Sequence, residues 1–234
     1  MLTSQFQRIG IVCRRDTPQA FDPLSKIVHT LLEEGLQVYL DEDNRPEFEG
    51  LPQLAQCEFA SKADLGRLCH LVMVMGGDGT FLSVARKIAP FNVPIIGLNL
   101  GRLGFLTQVP LENLRDDLRN MLTGKYLPED LILLESQVVR DGATIKQSLA
   151  LVPICPQSMT NRPIVISDTC EIEVVITKGM DARVHFDGQS VLDLQKLDRI
   201  SIRRYRNTLR VLHPADYNYY KTLRTKLHWG EQLV

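Results

Sequence analysis

The chain has 234 residues, of which 44% are hydrophobic and 24% charged, and its formal net charge is −1. This composition is typical of a soluble globular protein with one or two domains, and the balanced charge excludes a general attraction to nucleic acid or acidic membranes. The five cysteines lack CxxC spacing and no apolar run reaches about 18 residues, so we expect a cytoplasmic protein without disulfides, a zinc site or a membrane span.

The first half of the chain alternates β-rich segments with segments that carry apolar residues at helical spacing. The first predicted helix has Asp22 as its N-cap and Pro23 at its first position, and it ends at Gly35. The other predicted elements are the strands Ile9–Cys13, Gln37–Leu40, Leu71–Met75 and Pro94–Gly97 and the helices Ser61–His70, Thr80–Ala89 and Leu111–Leu122. Strands that alternate with helices predict a parallel, Rossmann-like α/β domain.

The second half has a period of two, which is typical of an antiparallel sheet with one buried face. In Ala182–Phe186 apolar and polar residues alternate, and Asp187-Gly188 then predicts a hairpin turn. We expect a C-terminal all-β, sandwich-like domain, followed by a terminal helix over Pro214–Leu227. The predicted domains are residues 1–125, 126–212 and 213–234, with the last segment packing back on the α/β domain.

A glycine-rich motif, GGDGT, follows the apolar run LVMVM directly. Gly76, Gly77 and Gly79 would lie at the carboxyl end of a buried strand, where α/β sheets bind ligands. Glycines allow close approach of a ligand, and the amides that begin the helix at Thr80 could cradle a phosphate. Asp78 would repel phosphates unless it accepts a proton or engages a metal ion, so the motif predicts phosphoryl transfer. The alternative is a tight turn in which Asp78 caps the helix.

A second glycine cluster, GLNLGRLGFL, follows the next predicted strand. Adjacent strands would bring the two glycine loops to the same edge of the sheet. Asn99 offers both a donor and an acceptor to a sugar hydroxyl. Phe105 could pack on a nucleotide base, and a core aromatic is the alternative. The pair of loops therefore predicts a nucleotide site, although neither the Walker nor the Rossmann glycine fingerprint is present.

Four segments together resemble the bacterial NAD kinases. They are GGDGTFL at Gly76–Leu82, NLGRLGFL at Asn99–Leu106, HFDGQ at His185–Gln189 and the tail LHPADYNYYKTLRTKLHWG at Leu212–Gly230. Lipid kinases and phosphofructokinases carry strings similar to GGDGT, but the second and third segments point away from them.

The resemblance implies that the chain phosphorylates the 2′-hydroxyl of the adenosine ribose of NAD, with ATP or polyphosphate as donor and a divalent metal, Mg²⁺, as cofactor. It implies that Asp78 is the proton acceptor and that Gly79 contacts the dinucleotide. Phe105 and Leu106 match positions that line the adenine pocket, and Gln189 matches an NAD-binding position. No residue is assigned as a dedicated metal ligand. The family also implies a homodimer or homotetramer.

The chain departs from the family between Ala150 and Leu151, where family members have several dozen more residues. Part of the NAD site and of the β domain would therefore be missing. The sequence is compatible with a shortened gene product, an engineered deletion or an incomplete sequence. Two alternative functions stay open at this point. The chain could be a non-catalytic homologue that binds nucleotide or joins other subunits, or a lipid or sugar kinase that shares GGDGT.

Overall fold

The computed structural model of the protein describes residues 4–101, 104–149, 166–178, 181–188 and 190–227. The chain divides into two units. The first comprises Met1–Leu131 and Leu209–Val234, and the second comprises Ile132–Thr208. The first unit therefore contains both ends of the chain.

The described residues form six α-helices and thirteen β-strands, besides short 3₁₀ turns. The helices are α1 (Phe21–Glu33), α2 (Arg45–Phe48), α3 (Lys62–Leu68), α4 (Asp78–Ile88), α5 (Leu114–Leu122) and α6 (Tyr219–Leu227). The strands are β1 (Arg8–Cys13), β2 (Gln37–Asp41), β3 (Glu58–Ala60), β4 (Leu71–Gly76), β5 (Ile95–Asn99), β6 (Tyr126–Leu131), β7 (Leu134–Arg140), β8 (Ala143–Leu149), β9 (Ile172–Val175), β10 (Arg183–Phe186), β11 (Ser190–Asp193), β12 (Arg199–Arg204) and β13 (Leu209–Pro214).

The first unit is built on a seven-stranded sheet with the order β3-β2-β1-β4-β5-β13-β6. The five strands of the first half run parallel, as the alternation of strands and helices predicts. β13 joins β5 in parallel, and β6 pairs with β13 in the antiparallel sense. The sheet is thus mixed, because two strands from outside the βα repeats extend it. The predicted domain limits stay a prediction; β6 lies within the predicted β domain, residues 126–212, and β13 crosses the predicted limit after residue 212.

Apolar residues explain why these elements pack as they do. Every residue of β4 and β5 is buried, as expected for central strands that are covered on both faces. In α1, Leu24, Ile27, Val28 and Leu31 form one buried stripe that joins the sheet residues in a single core. Each fully buried aliphatic side chain contributes about 1.5–3 kcal/mol relative to an exposed one.

Several predicted helices have other ends in the structure; α5, for example, begins at Leu114 rather than Leu111. α1 begins at Phe21 rather than after an Asp22 cap, because a 3₁₀ turn over Pro18–Ala20 leads directly into it. Pro23 is tolerated in the first turn, where its missing N–H has no intrahelical acceptor. The terminal helix begins at Tyr219 instead of Pro214, because the chain up to Pro214 is paired in the sheet as β13.

The second unit is antiparallel, as predicted. Its described residues form a four-stranded sheet, β8-β7-β12-β9, and a separate hairpin of β10 and β11. The hairpin turns at Asp187 and Gly188, which have φ values of 50° and 66°. Its small core consists of Val138, Val184, Phe186, Ile200 and Ile202. All four residues of β9 are exposed in this unit.

Candidate nucleotide site

The two glycine loops begin side by side at the carboxyl ends of β4 and β5. In the parallel register of these strands, Gly76 lies opposite Asn99. Both loops therefore leave the sheet at the same edge, as the sequence predicts. α4 starts directly after the first loop, with Gly77 in an extended conformation at the N-cap. The first turn of a helix carries the positive end of the helix dipole, and in α4 this end lies at the same edge of the sheet.

The carboxylate of Asp78 accepts hydrogen bonds from three successive backbone amides of the second loop. Oδ2 lies 2.9 Å from the nitrogen of Phe105, and Oδ1 lies 2.9 Å from that of Leu106 and 3.3 Å from that of Thr107. The alternative role of Asp78 as an N-cap is wrong, because Gly77 occupies that position and Asp78 is the first helical residue. Asp78 instead joins the two loops.

Two glycines of the second cluster permit this contact. A Cβ atom on Gly104 would lie 2.2 Å from Asp78 Oδ1, which no real Cβ contact allows. A Cβ atom on Gly97 would lie 2.3 Å from the carbonyl oxygen of Leu106. The amides of Gln108 and Val109 both donate to the Gly97 carbonyl, at 3.0 and 3.1 Å. The second loop therefore folds back tightly onto β5 and presents its amides to Asp78.

An open cleft of about 500 Å³ lies where the two loops leave the sheet. This volume is in the ordinary range for a small-molecule site. Its lining residues are Arg14, Thr17, Gln19, Gly76, Gly77, Asn99, Leu100 and Gly101. Asn99 is buried, and its Oδ1 accepts a hydrogen bond of 2.8 Å from the Gly101 amide. Its side-chain amide group remains a donor at the cleft.

Arg14 is a cleft residue that the sequence patterns did not single out. It follows the end of β1, and its amide donates to the Met75 carbonyl at 2.9 Å. A Cβ atom added to Gly76 would lie 3.3 Å from the Cβ of Arg14, so the arginine lies beside the first glycine loop. Arg14 is exposed, and no ion pair among the described residues includes it. The signal that could have found it is a basic pair directly after the first strand of a parallel sheet.

The remaining predicted residues surround the Asp78 contact. Gly79 is exposed and Thr80 half-buried in the first turn of α4. Phe105 and Leu106 are half-buried in the second loop. Gln189, the predicted NAD-binding residue of the hairpin, lies outside the described residues. The structure thus brings the predicted residues of the first unit together.

Two buried polar residues behind the loop also escaped the sequence analysis. Gln108 donates through Nε2 to the carbonyls of Gly104 and Phe105, the latter at 2.9 Å. Thr222 in α6 lies with its hydroxyl 3.2 Å from Gln108 Oε1. No local motif marks either residue, because the contact joins positions that are more than a hundred residues apart in the chain.

The part of the chain that the structure describes contains no group of three or more His, Cys, Asp or Glu side chains suited to hold a metal ion. Among the described residues, no helix has the length and apolarity needed to cross a membrane.

A parallel sheet with two glycine loops, a helix N-terminus and a carboxylate at one edge has the geometry expected of an α/β protein that binds a phosphate-bearing ligand. Comparison with known proteins gives the family. The family model for the ATP-NAD kinase N-terminal domain matches residues 9–126, and that for the ATP-NAD kinase C-terminal domain matches residues 140–213. The chain belongs to the NAD kinase family.

Individual relatives agree with the family models. The chain is 45% identical to the NAD kinase of Neisseria meningitidis serogroup C / serotype 2a over 296 residues, with 100% of both chains covered. It is 39% identical to the NAD kinase of Laribacter hongkongensis, with 98% of this chain and 99% of the relative covered.

Solved structures of NAD and NADH kinases share the fold. Yeast NADH kinase complexed with NADH has a TM-score of 0.80 at 15% identity, covering 99% of this chain and 93% of that one. The NAD kinase from Archaeoglobus fulgidus in complex with ATP has a TM-score of 0.61 at 19% identity, covering 94% and 97%. At these identities the likeness supports the fold alone.

The lengths of the matched chains differ. The match to the Neisseria relative extends over 296 positions, whereas this chain has 234 residues, so at least 62 positions (296 minus 234) have no residue of this chain. Because the match covers both chains completely, these positions are internal. An internal gap agrees with the predicted missing segment, and its predicted place between Ala150 and Leu151 lies outside the described residues.

Proposed function

We propose that this protein is an NAD kinase that transfers the terminal phosphoryl group of ATP to the 2′-hydroxyl of the adenosine ribose of NAD, giving NADP and ADP. The observation that carries the proposal is the placement of the Asp78 carboxylate at the junction of two glycine loops, in a chain of the NAD kinase family. Polyphosphate is a second donor to test, because it offers the same phosphate groups.

In this proposal Asp78 accepts the proton of the attacking hydroxyl. The hydroxyl oxygen forms a bond to the terminal phosphorus while the bond from that phosphorus to ADP breaks, and the proton passes to the carboxylate. A carboxylate oxygen has about two lone-pair positions for donors. Oδ1 accepts from the amides of Leu106 and Thr107, whereas among the described residues Oδ2 accepts only from the Phe105 amide. Oδ2 therefore retains a position for a substrate hydroxyl.

The cleft beside Gly76 and Gly77 is the proposed site of the donor phosphates. A phosphate there would lie near the positive end of the α4 helix dipole. Arg14 adds a guanidinium at the same edge, and arginine binds phosphate through two parallel hydrogen bonds. Asn99 lines the cleft from the second loop and can bond a ribose hydroxyl.

The second loop is the proposed adenine side of the site. Phe105 and Leu106 keep part of their side chains exposed, which leaves apolar surface for a base. In the sequence, Gly79 and Thr80 come after the cleft residues Gly76 and Gly77 and before Phe105 and Leu106. Gln189 is proposed, through its family motif, as a further NAD contact.

A divalent cation, Mg²⁺, is the proposed cofactor of the reaction, where it would offset the charge of the triphosphate. The described residues do not provide a cluster of metal-ligating side chains. We therefore name no protein ligand and derive no step through the metal. Mg²⁺ is commonly held by substrate phosphates and water with few protein ligands.

We also propose a cytoplasmic homo-oligomer, a dimer or tetramer. Exposed apolar side chains in the second unit support association, since they favour burial. They include Ile145 in β8, Ile172 and Val174 in β9, and Val191 in β11.

The test is direct assay of the purified 234-residue chain with NAD, ATP and magnesium. We expect formation of NADP, detected by an NADP-specific dehydrogenase, and loss of it in the Asp78→Asn variant. ATP binding without NADP formation would contradict the proposal and favour a homologue that only binds nucleotide. Phosphorylation of a lipid or sugar, with none of NAD, would assign a different acceptor.

A further inference from the structure

The C-terminal helix α6 contacts the loop that holds Asp78. The Thr222 hydroxyl donates to Gln108 Oε1 at 3.2 Å, and Lys226 Nζ stands 5.8 Å from the ring centroid of Phe105. Residues four apart lie on the same face of a helix. One face of α6 is therefore turned toward this loop.

The side chain of Gln108 connects the helix to the loop backbone. Its Nε2 donates to the carbonyl oxygens of Gly104 and Phe105. Because both of these acceptors lack a proton, only the NH₂ end of the amide can face them, and Oε1 must face Thr222. Gln108 is 8% exposed and Thr222 5% exposed, so water has little access to either group. A buried Oε1 without its hydroxyl donor would be left unsatisfied.

The carbonyls that Gln108 fixes belong to the same short loop as the amides that orient Asp78. Phe105 accepts from Gln108 through its carbonyl and donates to Asp78 Oδ2 through its amide. We propose that α6 positions the Asp78 carboxylate for reaction through Thr222 and Gln108. This inference rests on the proposed function, because Asp78 must be the reacting group for its position to affect turnover.

The experiment compares two substitutions at Thr222 with a matched control in the same helix. Thr222→Val keeps the shape and removes the hydroxyl, whereas Thr222→Ser restores it. Thr225→Val makes the same chemical change, but the Thr225 hydroxyl donates to the Lys221 carbonyl of its own helix. Gln108→Glu is a second variant, since it retains the shape of Gln108 and loses both Nε2 donors.

Two readouts are measured on the full chain. The first is hydrogen exchange of the amides of residues 104–107 without ligand, which should accelerate in Thr222→Val and Gln108→Glu only. The second is steady-state kinetics, where kcat should fall about 10-fold in those two variants while KM for NAD and ATP changes less than about 2-fold. Thr222→Ser and Thr225→Val should stay near the starting protein in both readouts.

The outcomes separate this inference from the proposed function. Lack of NADP formation by the unmodified chain would contradict the proposed function, while the exchange data would still test whether α6 holds the loop. Unchanged exchange in Thr222→Val and Gln108→Glu would overturn the inference. Faster exchange with unchanged kcat would also overturn it, because the contact would then stabilise the loop without positioning Asp78.

Discussion

Replacing Asp78 by asparagine removes the proposed proton acceptor while keeping the size of the side chain. An asparagine Oδ1 can still accept from the amides of Leu106 and Thr107. Its Nδ2 would replace Oδ2 and face the amide of Phe105, 2.9 Å away, so that a donor meets a donor. Asp78→Asn therefore changes both the chemistry and one hydrogen bond of the loop.

The two effects differ in size. Loss of a general base lowers the rate by about 10² to 10⁴, which corresponds to roughly 2.7–5.5 kcal/mol in the activation barrier. Loss of a hydrogen bond to a charged group costs about 1.5–3 kcal/mol when it is buried. Asp78 is only half-buried, so we expect a loss of about 1 kcal/mol and a fall of about 2–4 °C in Tm. The variant should fold and lose most of its turnover.

The assay follows NADP formation at saturating NAD and ATP, together with thermal unfolding by circular dichroism. Thr107→Val is the matched control, because the Thr107 hydroxyl lies 3.5 Å from Oδ1 and its loss leaves the carboxylate in place. That control should retain turnover within about threefold, as expected when a contact at the limit of hydrogen bonding is lost. If Asp78→Asn keeps turnover within about tenfold of the starting protein, Asp78 is not the base.

Three further predictions concern residues around this carboxylate and in the core. Gly77→Ala should fold normally but raise KM for ATP, because among the described residues, chain neighbours aside, nothing lies within 4 Å of the added Cβ at this cleft position. Gly104→Ala should instead lose about 1–3 kcal/mol of unfolding free energy by overpacking against Asp78. Equal melting temperatures for the two variants would contradict this prediction. Arg14→Gln should raise KM for ATP about 10-fold without the same change in KM for NAD. Arg15→Gln removes a charge outside the cleft and should leave KM for ATP unchanged. Equal effects of the two substitutions would show that only overall charge matters. Burial lowers the pKa of His213 below its ordinary 6.5, so the unfolded chain binds the proton first as the pH falls. Urea unfolding should therefore show that the protein loses stability below about pH 6.5 and that the His213→Gln variant does not show this loss. An identical pH dependence of stability in both proteins would refute this.

The glycine loops could be predicted from sequence because their signals are local. β4 is a continuous buried run that leads directly into Gly76, and β5 leads in the same way toward Asn99. Since parallel strands present their carboxyl ends at one edge, the strand pattern predicted that both loops lie at that edge, and the structure shows that β4 and β5 are neighbours. Of the eight residues that line the cleft, the sequence predicted three, Gly76, Gly77 and Asn99.

The contacts of Asp78 could not be predicted in the same way. Its partners, the amides of Phe105 to Thr107, are 27 to 29 residues distant, and backbone groups carry no side-chain signal. The position of β13 beside β5 was equally hidden, because local periodicity shows that a strand forms and does not show which strand it joins. Thr222 follows β13 in the chain, and its contact with Gln108 depends on β13 pairing beside β5.

The number of glycines at this edge has two separate physical causes. At Gly104 a side chain would collide with the Asp78 carboxylate, so glycine is required by the protein's own packing. At Gly77 and Gly101 a Cβ would have no atom of the described residues within 4 Å apart from its chain neighbours, and both residues line the cleft. Packing therefore gives no reason for glycine at these two positions. We propose that the reason is close approach of a ligand to the backbone, with the donor phosphates against Gly77 and Gly101 rather than against the Phe105–Thr107 segment that Asp78 contacts.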